Sequence, residues 1–482
     1  MSLSSSPAPV ASALPKPTIQ SRLQQEPRQI TLPIPAARLL QLLLLGTVIP
    51  LLIALIPGLG LAVGEWMMAV YDLGLVAIAF WDFQRAKSWH FDLKRTCESR
   101  LSIGRNNLIR LQVTVEASPV KSQKVRLHLR EHLPQEFQVD QLELSAQLMP
   151  ERVTEISYHV FPPRRGCFSW SGIDLRQLSP WGLVWRSWHA PVLTTVEVYP
   201  DLVGLRSLSV QLSLEAAGSL RRRRHSLGGT NFSELRDYNL GDDLRLIDWK
   251  ATARRGRPLI RLMEPERDQP LIILLDRGRL MTPKVAGLQR FDWALNATLS
   301  LALAGLRRGD RVGVCVFDNN IHTWIGPRAG QSHLSEILEQ LYNLEPVLVE
   351  SDYIGVVSTL LSQYPRRALV VLLTDLIDAT ASRELLGAIG QLTPRFLPFC
   401  IALRDPQVDA QAHRAIALTH GVAKLQTQSF YEQAVALDLL HQRNLAFAQL
   451  KQKGALVLDA PANTISKQLV DRYLLLKARG RL

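Results

Sequence analysis

The 482-residue sequence lacks the residue patterns by which catalytic or redox chemistry is usually recognised. Its four cysteines lie far apart and form no Cys-x-x-Cys pair, which argues against a disulfide framework or a zinc site and favours a reducing compartment. It contains no Gly-x-x-x-x-Gly-Lys phosphate loop, no His-Glu-x-x-His motif and no Gly-x-Ser-x-Gly elbow. We therefore expect a protein that is not an enzyme.

Lysine and arginine are absent from one long apolar run, residues 39–82. At about 20 residues per span, this run is long enough for two transmembrane helices, and Pro57 and Gly58 predict a turn near its middle. Basic residues flank the run on both sides, so a hairpin with both ends in the cytoplasm is favoured over a single span or a buried core helix. The preceding residues 1–38 are rich in serine, proline and glutamine and predict a disordered tail.

Acidic residues are outnumbered by basic ones, 43 to 56, giving a net charge of +13. The most basic stretch is RRRRH, residues 221–225. Beside a membrane anchor, a solvated or lipid-facing loop is favoured over a phosphate site. No interleaved aromatic residues or recognition motif accompany the arginines, so we expect no nucleic acid partner.

Residues 90–200 alternate between apolar and polar side chains, which is typical of half-buried strands. The clearest segments are residues 110–117, 124–131, 155–160 and 195–200. They predict an all-β, sandwich-like domain. Its tryptophans at positions 170, 181, 185 and 188 fit core and corner positions better than a stacked ligand.

Residues 269–482 have near-continuous apolar strands that alternate with helices, including a helix predicted over about 284–308. This pattern predicts an α/β domain with a doubly wound, mostly parallel sheet. Ligands of such sheets bind at the carboxyl ends of the strands. Asp276 and Asp375 each follow a buried strand and are the candidate ligand residues at that edge.

Residues 201–268 are predicted to form a basic linker followed by an arm in which acidic and basic side chains alternate. Two readings remain open for the arm: a salt-bridged segment packed on the next domain, or a docking surface for a protein. The docking candidates are the following charged and aromatic residues: Arg236, Tyr238, Asp242, Asp243, Arg245, Asp248 and Trp249.

The arm and several shorter motifs together resemble the bacterial family called domain of unknown function 58. The shorter motifs are RRG (164–166), PWGL (180–183), GDRVGVCVFD (309–318), ESDY (350–353), LLTD (372–375) and RYLLLKARG (472–480). The resemblance implies a membrane hairpin, a β-sandwich-like region and a degenerate von Willebrand factor A-like domain. It also implies location at the bacterial inner membrane facing the cytoplasm, and partnership with a MoxR-type AAA+ ATPase in protein maturation or complex assembly.

The same resemblance bears on the candidate metal site. In a full A domain the first loop reads Asp-x-Ser-x-Ser, and its oxygens surround a hard cation together with residues of later loops. The matching positions here are Asp276, Gly278 and Leu280, and Asp375 matches the later aspartate. The hydroxyl ligands of the first loop are therefore missing, and Mg²⁺ demands near-octahedral oxygen coordination.

Two outcomes remain open at this degenerate site. Asp276 and Asp375, with water and a middle loop near Ser351 or Asp352, would hold a divalent cation weakly. Alternatively, Arg277 or Arg279 folds over the carboxylates and neutralises them. The preferred function is a membrane-anchored scaffold or adaptor that binds a protein partner and needs no cofactor; the alternative is a Mg²⁺-dependent ligand-binding or adhesion module.

Overall fold

The computed structural model describes residues 18–22, 33–48, 50, 61–117, 124–150, 152–222, 231–239, 243–264, 268–376, 383–413 and 423–479. Its contacts divide the chain into two units, Met1–Tyr199 and Pro200–Leu482. The division falls at the junction between the predicted sandwich-like domain and the predicted linker.

The first unit contains two apolar helices near its start. Its first elements are β1 (Thr18–Arg22), β2 (Pro33–Pro35), α1 (Ala37–Gly46) and α2 (Leu61–Lys87). The disordered tail predicted over residues 1–38 is corrected at the two strands, because β1 and β2 pair with strands formed by residues 90–98 and 184–190. From Ala62 to Lys87, α2 is long and apolar enough to cross a membrane. It packs against α1, because the Tyr71 hydroxyl donates to the Leu42 carbonyl at 3.1 Å. The predicted turn at residues 57–58 lies outside the described residues, so the two-span hairpin stays a prediction.

The rest of the first unit is built from strands in three sheets. The strands are β3 (His90–Glu98), β4 (Arg100–Ser102), β5 (Asn107–Ala117), β6 (Val125–His132), β7 (Gln138–Val139), β8 (Glu143–Leu148), β9 (Val153–Phe161), β10 (Gly166–Trp170), β11 (Gly172–Leu178), β12 (Val184–Ala190) and β13 (Thr194–Tyr199). The sheet orders are β1-β3-β5-β9-β7, β2-β12-β11-β6-β8 and β10-β13-β4. The four strands predicted from alternation are present within β5, β6, β9 and β13.

The tryptophans of this unit occupy different environments. Trp170 is fully buried, and the guanidinium of Arg95 lies 4.8 Å from its ring centroid. Trp188 packs near Phe91, and Trp181 lies at the surface beside Trp81 of α2. The core reading therefore holds for Trp170, whereas Trp181 is an exposed corner residue.

The second unit begins with a helix where the sequence predicted a linker. Its elements before the main sheet are α3 (Leu202–Arg222), β14 (Asn231–Asp237), a 3₁₀ turn (Leu244–Leu246), α4 (Trp249–Arg255) and β15 (Leu259–Glu264). The linker prediction is corrected over residues 202–222, because apolar side chains of α3, including Leu205, Leu208 and Leu212, pack against the core of this unit. β14 and β15 pair antiparallel, so the arm is a hairpin with a short helical connection.

The main sheet of the second unit has six strands. Strands and helices follow in the order β16 (Pro270–Asp276), a 3₁₀ turn (Arg279–Met281), β17 (Lys284–Val285), β18 (Leu288–Gln289), α5 (Arg290–Arg307), β19 (Arg311–Phe317), β20 (Ile321–Arg328), α6 (Gln331–Leu341), α7 (Tyr353–Gln363), β21 (Leu369–Thr374), α8 (Arg383–Leu392), β22 (Leu397–Arg404), α9 (Pro406–Ala412), α10 (Ala423–Gln452), β23 (Leu456–Pro461), a 3₁₀ turn (Ala462–Thr464) and α11 (Ile465–Ala478). The predicted helix over 284–308 starts only at Arg290, because residues 284–289 form a tight hairpin with positive φ at Ala286 and Gly287.

The spatial order of the sheet is β20-β19-β16-β21-β22-β23. Numbered along the chain from 1 to 6, this is 3-2-1-4-5-6; all pairs are parallel except β19 with β20. Alternate residues of β16 enter separate cores, with Ile273 in one and Ile272 in the other. The strand order reverses between β16 and β21, and the carboxyl ends of these two strands define the crevice where a ligand site is expected.

Candidate functional site at the carboxyl edge of the sheet

Asp276 ends β16 and is completely buried. Its Oδ1 accepts hydrogen bonds from the Gly278 amide at 2.8 Å and the Ser351 hydroxyl at 2.6 Å. Its Oδ2 accepts from the hydroxyls of Tyr353 at 2.8 Å and Thr374 at 2.6 Å. Four neutral donors thus satisfy one buried carboxylate, as a buried polar group requires. We call Asp276, Ser351, Tyr353 and Thr374 the Asp276 cluster.

The missing side chain at position 278 has a structural cause. A Cβ built on Gly278 would lie 2.1 Å from the Ser351 Oγ and 2.8 Å from the Val349 carbonyl oxygen. The hydroxyl that binds Asp276 therefore comes from the loop before α7, and it occupies the space that a residue 278 side chain would need. Of the two middle-loop candidates, Ser351 joins the cluster, whereas Asp352 accepts from the Gly355 amide at 2.8 Å and caps α7.

Tyr353 closes the cluster from the start of α7. Burial raises the pKa of Tyr353 well above its ordinary value, and the nearby charge of Asp276 raises it further. The phenol therefore keeps its proton and donates to Asp276. Its oxygen also lies 2.9 Å from the Thr374 Oγ1, which links the start of α7 to the end of β21.

Two arginines pair with Asp375. Arg290 Nη1 lies 2.8 Å from Asp375 Oδ2, and Arg443 Nη1 donates to Asp375 Oδ1 at 2.6 Å. Arg443 also donates to the Leu376 carbonyl at 2.8 Å and to Asp459 at 3.2 Å. We call Arg290, Arg443, Asp375 and Asp459 the arginine clamp.

Charge holds the clamp together despite its burial. Burial alone would lower the pKa of the Arg443 guanidinium, but the carboxylates of Asp375 and Asp459 outweigh it and raise that pKa. The side chain of Arg443 is 10% exposed and that of Asp375 is 5% exposed, so solvent screens the attraction only weakly.

Arg277 and Arg279 have other partners than those the sequence suggested. Arg277 Nε donates to Asp318 Oδ2 at 3.0 Å, and Arg279 Nε donates to Glu350 at 2.7 Å. The open alternative that Arg277 or Arg279 covers Asp276 and Asp375 therefore named the wrong arginines. Neutralisation of Asp375 by arginine does occur, but through Arg290 and Arg443.

The residues present do not fit a Mg²⁺-type site. Such a cation needs about six oxygen ligands in near-octahedral geometry. Both oxygens of Asp276 already accept hydrogen bonds from protein donors. Both oxygens of Asp375 face guanidinium groups, whose positive charges oppose a second cation nearby.

A cleft of about 320 Å³ opens beside the arginine clamp. Its described lining includes four arginines, at positions 279, 290, 404 and 443, together with Asp375 and Asp405. No serine, cysteine or histidine is among these described lining residues, so they offer no nucleophile–base pair. The cleft can hold a small polar group, but its arginines already have acidic partners. Arg290 and Arg443 pair with Asp375 of the lining, whereas Arg279 pairs with Glu350 outside it.

The arm presents a different kind of surface. Asp243 accepts from the Arg245 amide and caps the 3₁₀ turn, while Asp248 accepts from the Ala251 amide and caps α4. Hydrogen bonds from the Ala251 amide and from Arg261 lower the pKa of Asp248. These two docking candidates therefore have local structural roles.

The apolar side chains beside these caps are left at the surface. Leu244 is 64% exposed and Trp249 is 70% exposed. Arg245 is exposed, Arg236 and Tyr238 are half-buried at the end of β14, and Asp242 lies outside the described residues. Of the predicted docking set, Trp249 is the aromatic residue that the structure leaves most open to a partner.

Sequence reasoning missed five residues of the site: Tyr353, Thr374, Arg290, Arg443 and Asp459. Tyr353 and Thr374 lie inside the quoted ESDY and LLTD motifs, so those motifs were the available signal. Arg290 is the first residue of α5 and Arg443 lies inside α10, and no local sequence pattern marks either residue. Asp310 of GDRVGVCVFD is structural, since it accepts hydrogen bonds from Tyr473 and Lys477 of α11.

Fold and site together define the class of protein. It has an α/β unit with strand order 3-2-1-4-5-6, and the carboxylates at the edge of its sheet are hydrogen-bonded or ion-paired with protein side chains. Residues 234–408 match the family model described as "Protein of unknown function DUF58". This match confirms the resemblance predicted from the motifs, and it spans the arm, the Asp276 cluster and Asp375.

Curated relatives and solved structures share parts of the chain. "Uncharacterized protein Rv1480" of Mycobacterium tuberculosis and "Uncharacterized protein Mb1516" of Mycobacterium bovis are each 26% identical over 178 residues, 35% of this chain and 56% of theirs. The chain thus spans little more than half the length of these relatives.

Similar solved structures include an aerotolerance-related membrane protein from Bacteroides fragilis, with 11% identity, 42% of this chain, 99% of that chain and a TM-score of 0.27. BatB from Bacteroides thetaiotaomicron has 13% identity, covers 43% of this chain and 98% of its own, and has a TM-score of 0.26. The SpRpn10 VWA domain has 11% identity, covers 42% of this chain and 94% of its own, and has a TM-score of 0.26.

Proposed function

We propose that this protein is a membrane-anchored adaptor without enzymatic activity, which binds a protein partner through the surface around Trp249. The observation that carries the proposal is the exposed apolar pair Leu244 and Trp249, held in place by the capped turns of the arm. Exposed tryptophans on a rigid support, surrounded by charged residues, are typical of binding hot spots.

The rigidity of this surface has an identifiable source. Asp248 caps α4 and also accepts from Arg261 Nε at 3.2 Å, so the helix start is tied to β15. At the other end, Gly256 terminates α4 in the left-handed conformation, with φ of 69°. The backbone that carries Trp249, the first residue of the helix, is therefore already ordered, which lowers the entropic cost of binding.

The anchor is the apolar helix α2. Trp66, Val70 and Leu73 are each more than half exposed along it, as expected for a lipid-facing surface. At its basic end, Arg85 lies 4.9 Å from the ring centroid of Trp81, and Trp81 packs against Trp181. Tryptophan and arginine at the end of an apolar helix are typical of a membrane–water interface.

Resemblance suggests the class of partner. We propose a MoxR-type AAA+ ATPase, bound on the cytoplasmic side of the bacterial inner membrane, with a role in the maturation or assembly of other proteins. The closed Asp276 cluster supports this over a cation-dependent adhesion module, because it leaves surface contacts rather than a metal to bind the partner.

Binding of the full-length protein in nanodiscs to a MoxR-type AAA+ ATPase from the same organism tests the proposal. Trp249→Ala is expected to weaken binding by about 30-fold, which corresponds to roughly 2 kcal/mol for a hot-spot residue. Tyr431→Ala, which removes an aromatic side chain 72% exposed on α10, is the matched control and should change the affinity less than twofold. Absence of binding by the unaltered protein with ATP, ADP and no nucleotide would refute the partner class. Equal loss in both variants would refute the surface.

A further inference from the structure

We propose that His132, Asp174 and His189 form a binding site for a transition-metal ion of the Zn²⁺ class on the outer face of the sandwich-like unit. The three residues lie on the neighbouring strands β6, β11 and β12. Each offers a ligand atom, and these atoms all lie within 4.8 Å of one another.

The sheet register brings the three side chains together. Asp174 pairs directly with His189 on β12, and Gly172, two residues earlier on the same strand, pairs with His132 on β6. Residues two apart on a strand point to the same face. Ile173, between them, is fully buried, so Asp174 and the two histidines project away from the core.

One carboxylate bridges both imidazoles. His132 Nε2 lies 2.6 Å from Asp174 Oδ2, and His189 Nδ1 lies 2.8 Å from Asp174 Oδ1. The two rings are 5.3 Å apart and nearly perpendicular. An ionised carboxylate only accepts hydrogen bonds, so the two nitrogens that face Asp174 carry protons in this arrangement. A bound metal ion would take the place of those protons, since imidazole binds metals through an unprotonated nitrogen.

Gly172 leaves room for the imidazole of His189. A Cβ at position 172 would lie 2.4 Å from His189 Nε2 and 2.6 Å from the Ala190 carbonyl oxygen. Any other residue at 172 would therefore displace the His189 ring. The backbone at this position is shaped around one of the proposed ligands.

The donor set selects the class of ion. Two imidazoles and one carboxylate suit Zn²⁺, Ni²⁺, Co²⁺ or Fe²⁺, whereas Mg²⁺ and Ca²⁺ prefer oxygen ligands. At metal–ligand distances of about 2.0–2.2 Å, tetrahedral ligand atoms are roughly 3.4 Å apart, which small side-chain rotations can reach. All three side chains are at least 30% exposed, so water or a partner's side chain can supply the remaining coordination. Arg130 pairs with Asp174 across the strands, and its charge works against the ion.

Calorimetric titration of the full-length protein in detergent, purified without a polyhistidine tag and stripped with a chelator, tests the site. Zn²⁺ should bind at one ion per chain, Mg²⁺ should give no such binding, and Co²⁺ should give visible d–d absorption bands. His189→Ala and His132→Ala should each weaken Zn²⁺ binding by more than about 100-fold, the upper end of the loss expected from an outer-shell change.

His159→Ala is the matched control. His159 Nδ1 lies 3.1 Å from Asp140 Oδ2, no second histidine shares that carboxylate among the described residues, and the side chain is about as exposed as that of His132. Its Zn²⁺ affinity should equal that of the unaltered protein. Binding that is unchanged in both His132→Ala and His189→Ala, or no binding by the unaltered protein, would overturn the proposal. Neither result bears on binding at Trp249, so the two proposals fail separately.

Discussion

Gly278→Ala tests directly whether the Ser351 hydroxyl excludes a side chain at position 278, in the loop after β16. The backbone permits alanine, since Gly278 has φ of −71° and ψ of −168°. The obstacle is steric, because the new Cβ would lie 2.1 Å from the Ser351 Oγ. The hydroxyl must then leave Asp276, to which it donates at 2.6 Å.

The expected cost has two parts. Loss of a hydrogen bond to a buried charged group costs about 1.5–3 kcal/mol. The remaining contact, with the Val349 carbonyl at 2.8 Å, adds overpacking of about 1–2 kcal/mol. Gly278→Ala should therefore lower the free energy of unfolding by roughly 2.5–5 kcal/mol. Ser351→Ala alone should cost only the hydrogen bond, about 1.5–3 kcal/mol.

A double-mutant cycle separates these parts. In a Ser351→Ala background the colliding hydroxyl is already gone, so the double variant should cost about 1.5–3 kcal/mol less than the sum of the single variants. Hydrogen exchange of the β16 and β21 amides in the full-length protein reports the stability of this sheet without assuming two-state unfolding. Gly326→Ala is the control, because an added Cβ there meets nothing within 4 Å. Strict additivity, or a Gly278→Ala cost no larger than that of the control, would refute the steric explanation.

Three further predictions concern the charged groups of the same edge. Arg443→Met should destabilise the α/β unit by roughly 3–5 kcal/mol, because it leaves the buried carboxylate of Asp375 with one arginine. Thermal unfolding measures this, with Arg255→Met, a change at an exposed arginine, as the control. Equal destabilisation by the two substitutions would contradict the prediction. Burial acts to raise the pKa of Asp318, but hydrogen bonds from Asn320, His322 and Arg277 lower it overall. Its ionised form should therefore add stability above the unfolded-state pKa of about 3.9 and lose it as the pH falls through the lower folded-state value. The stability deficit of Asp318→Asn at neutral pH should shrink in urea titrations below about pH 4, and a constant deficit would contradict this. In calorimetric titration with Mg²⁺, the unaltered protein and Asp276→Asn should release the same heat, because no ion binds at Asp276. A binding signal that is lost in the variant would support a cation site there.

The fold was largely predictable because its signals are local. The buried strands β16 and β21 appear as continuous apolar runs, and an aspartate ends the first and directly follows the second. The helix α3 was missed because a basic, mixed composition masked the apolar residues that pack on the core. The start of α5 was misplaced because the hairpin at residues 284–289 turns through positive φ, which hydrophobic periodicity does not report.

The candidate site was predictable in its carboxylates but not in their partners. Asp276 and Asp375 could be found from their place after strands, and Ser351 from the loop that the family resemblance indicated. Arg443 lies 68 residues beyond Asp375, on a helix whose sequence gives it no special mark. Only the tertiary packing of α10 reveals that its guanidinium closes the site.

The identity of these partners changes what the site can do. A cation held by carboxylates and water is exchangeable, so a site built on one responds to ion concentration and can share the ion with a ligand. The hydroxyls of Ser351, Tyr353 and Thr374 and the guanidinium groups of the arginine clamp are covalently part of the chain, and their buried pairs are costly to separate. The carboxyl edge of this sheet therefore serves as a fixed part of the core. This is why the proposed function assigns recognition of a partner to surfaces that remain open, foremost the exposed Trp249 of the arm.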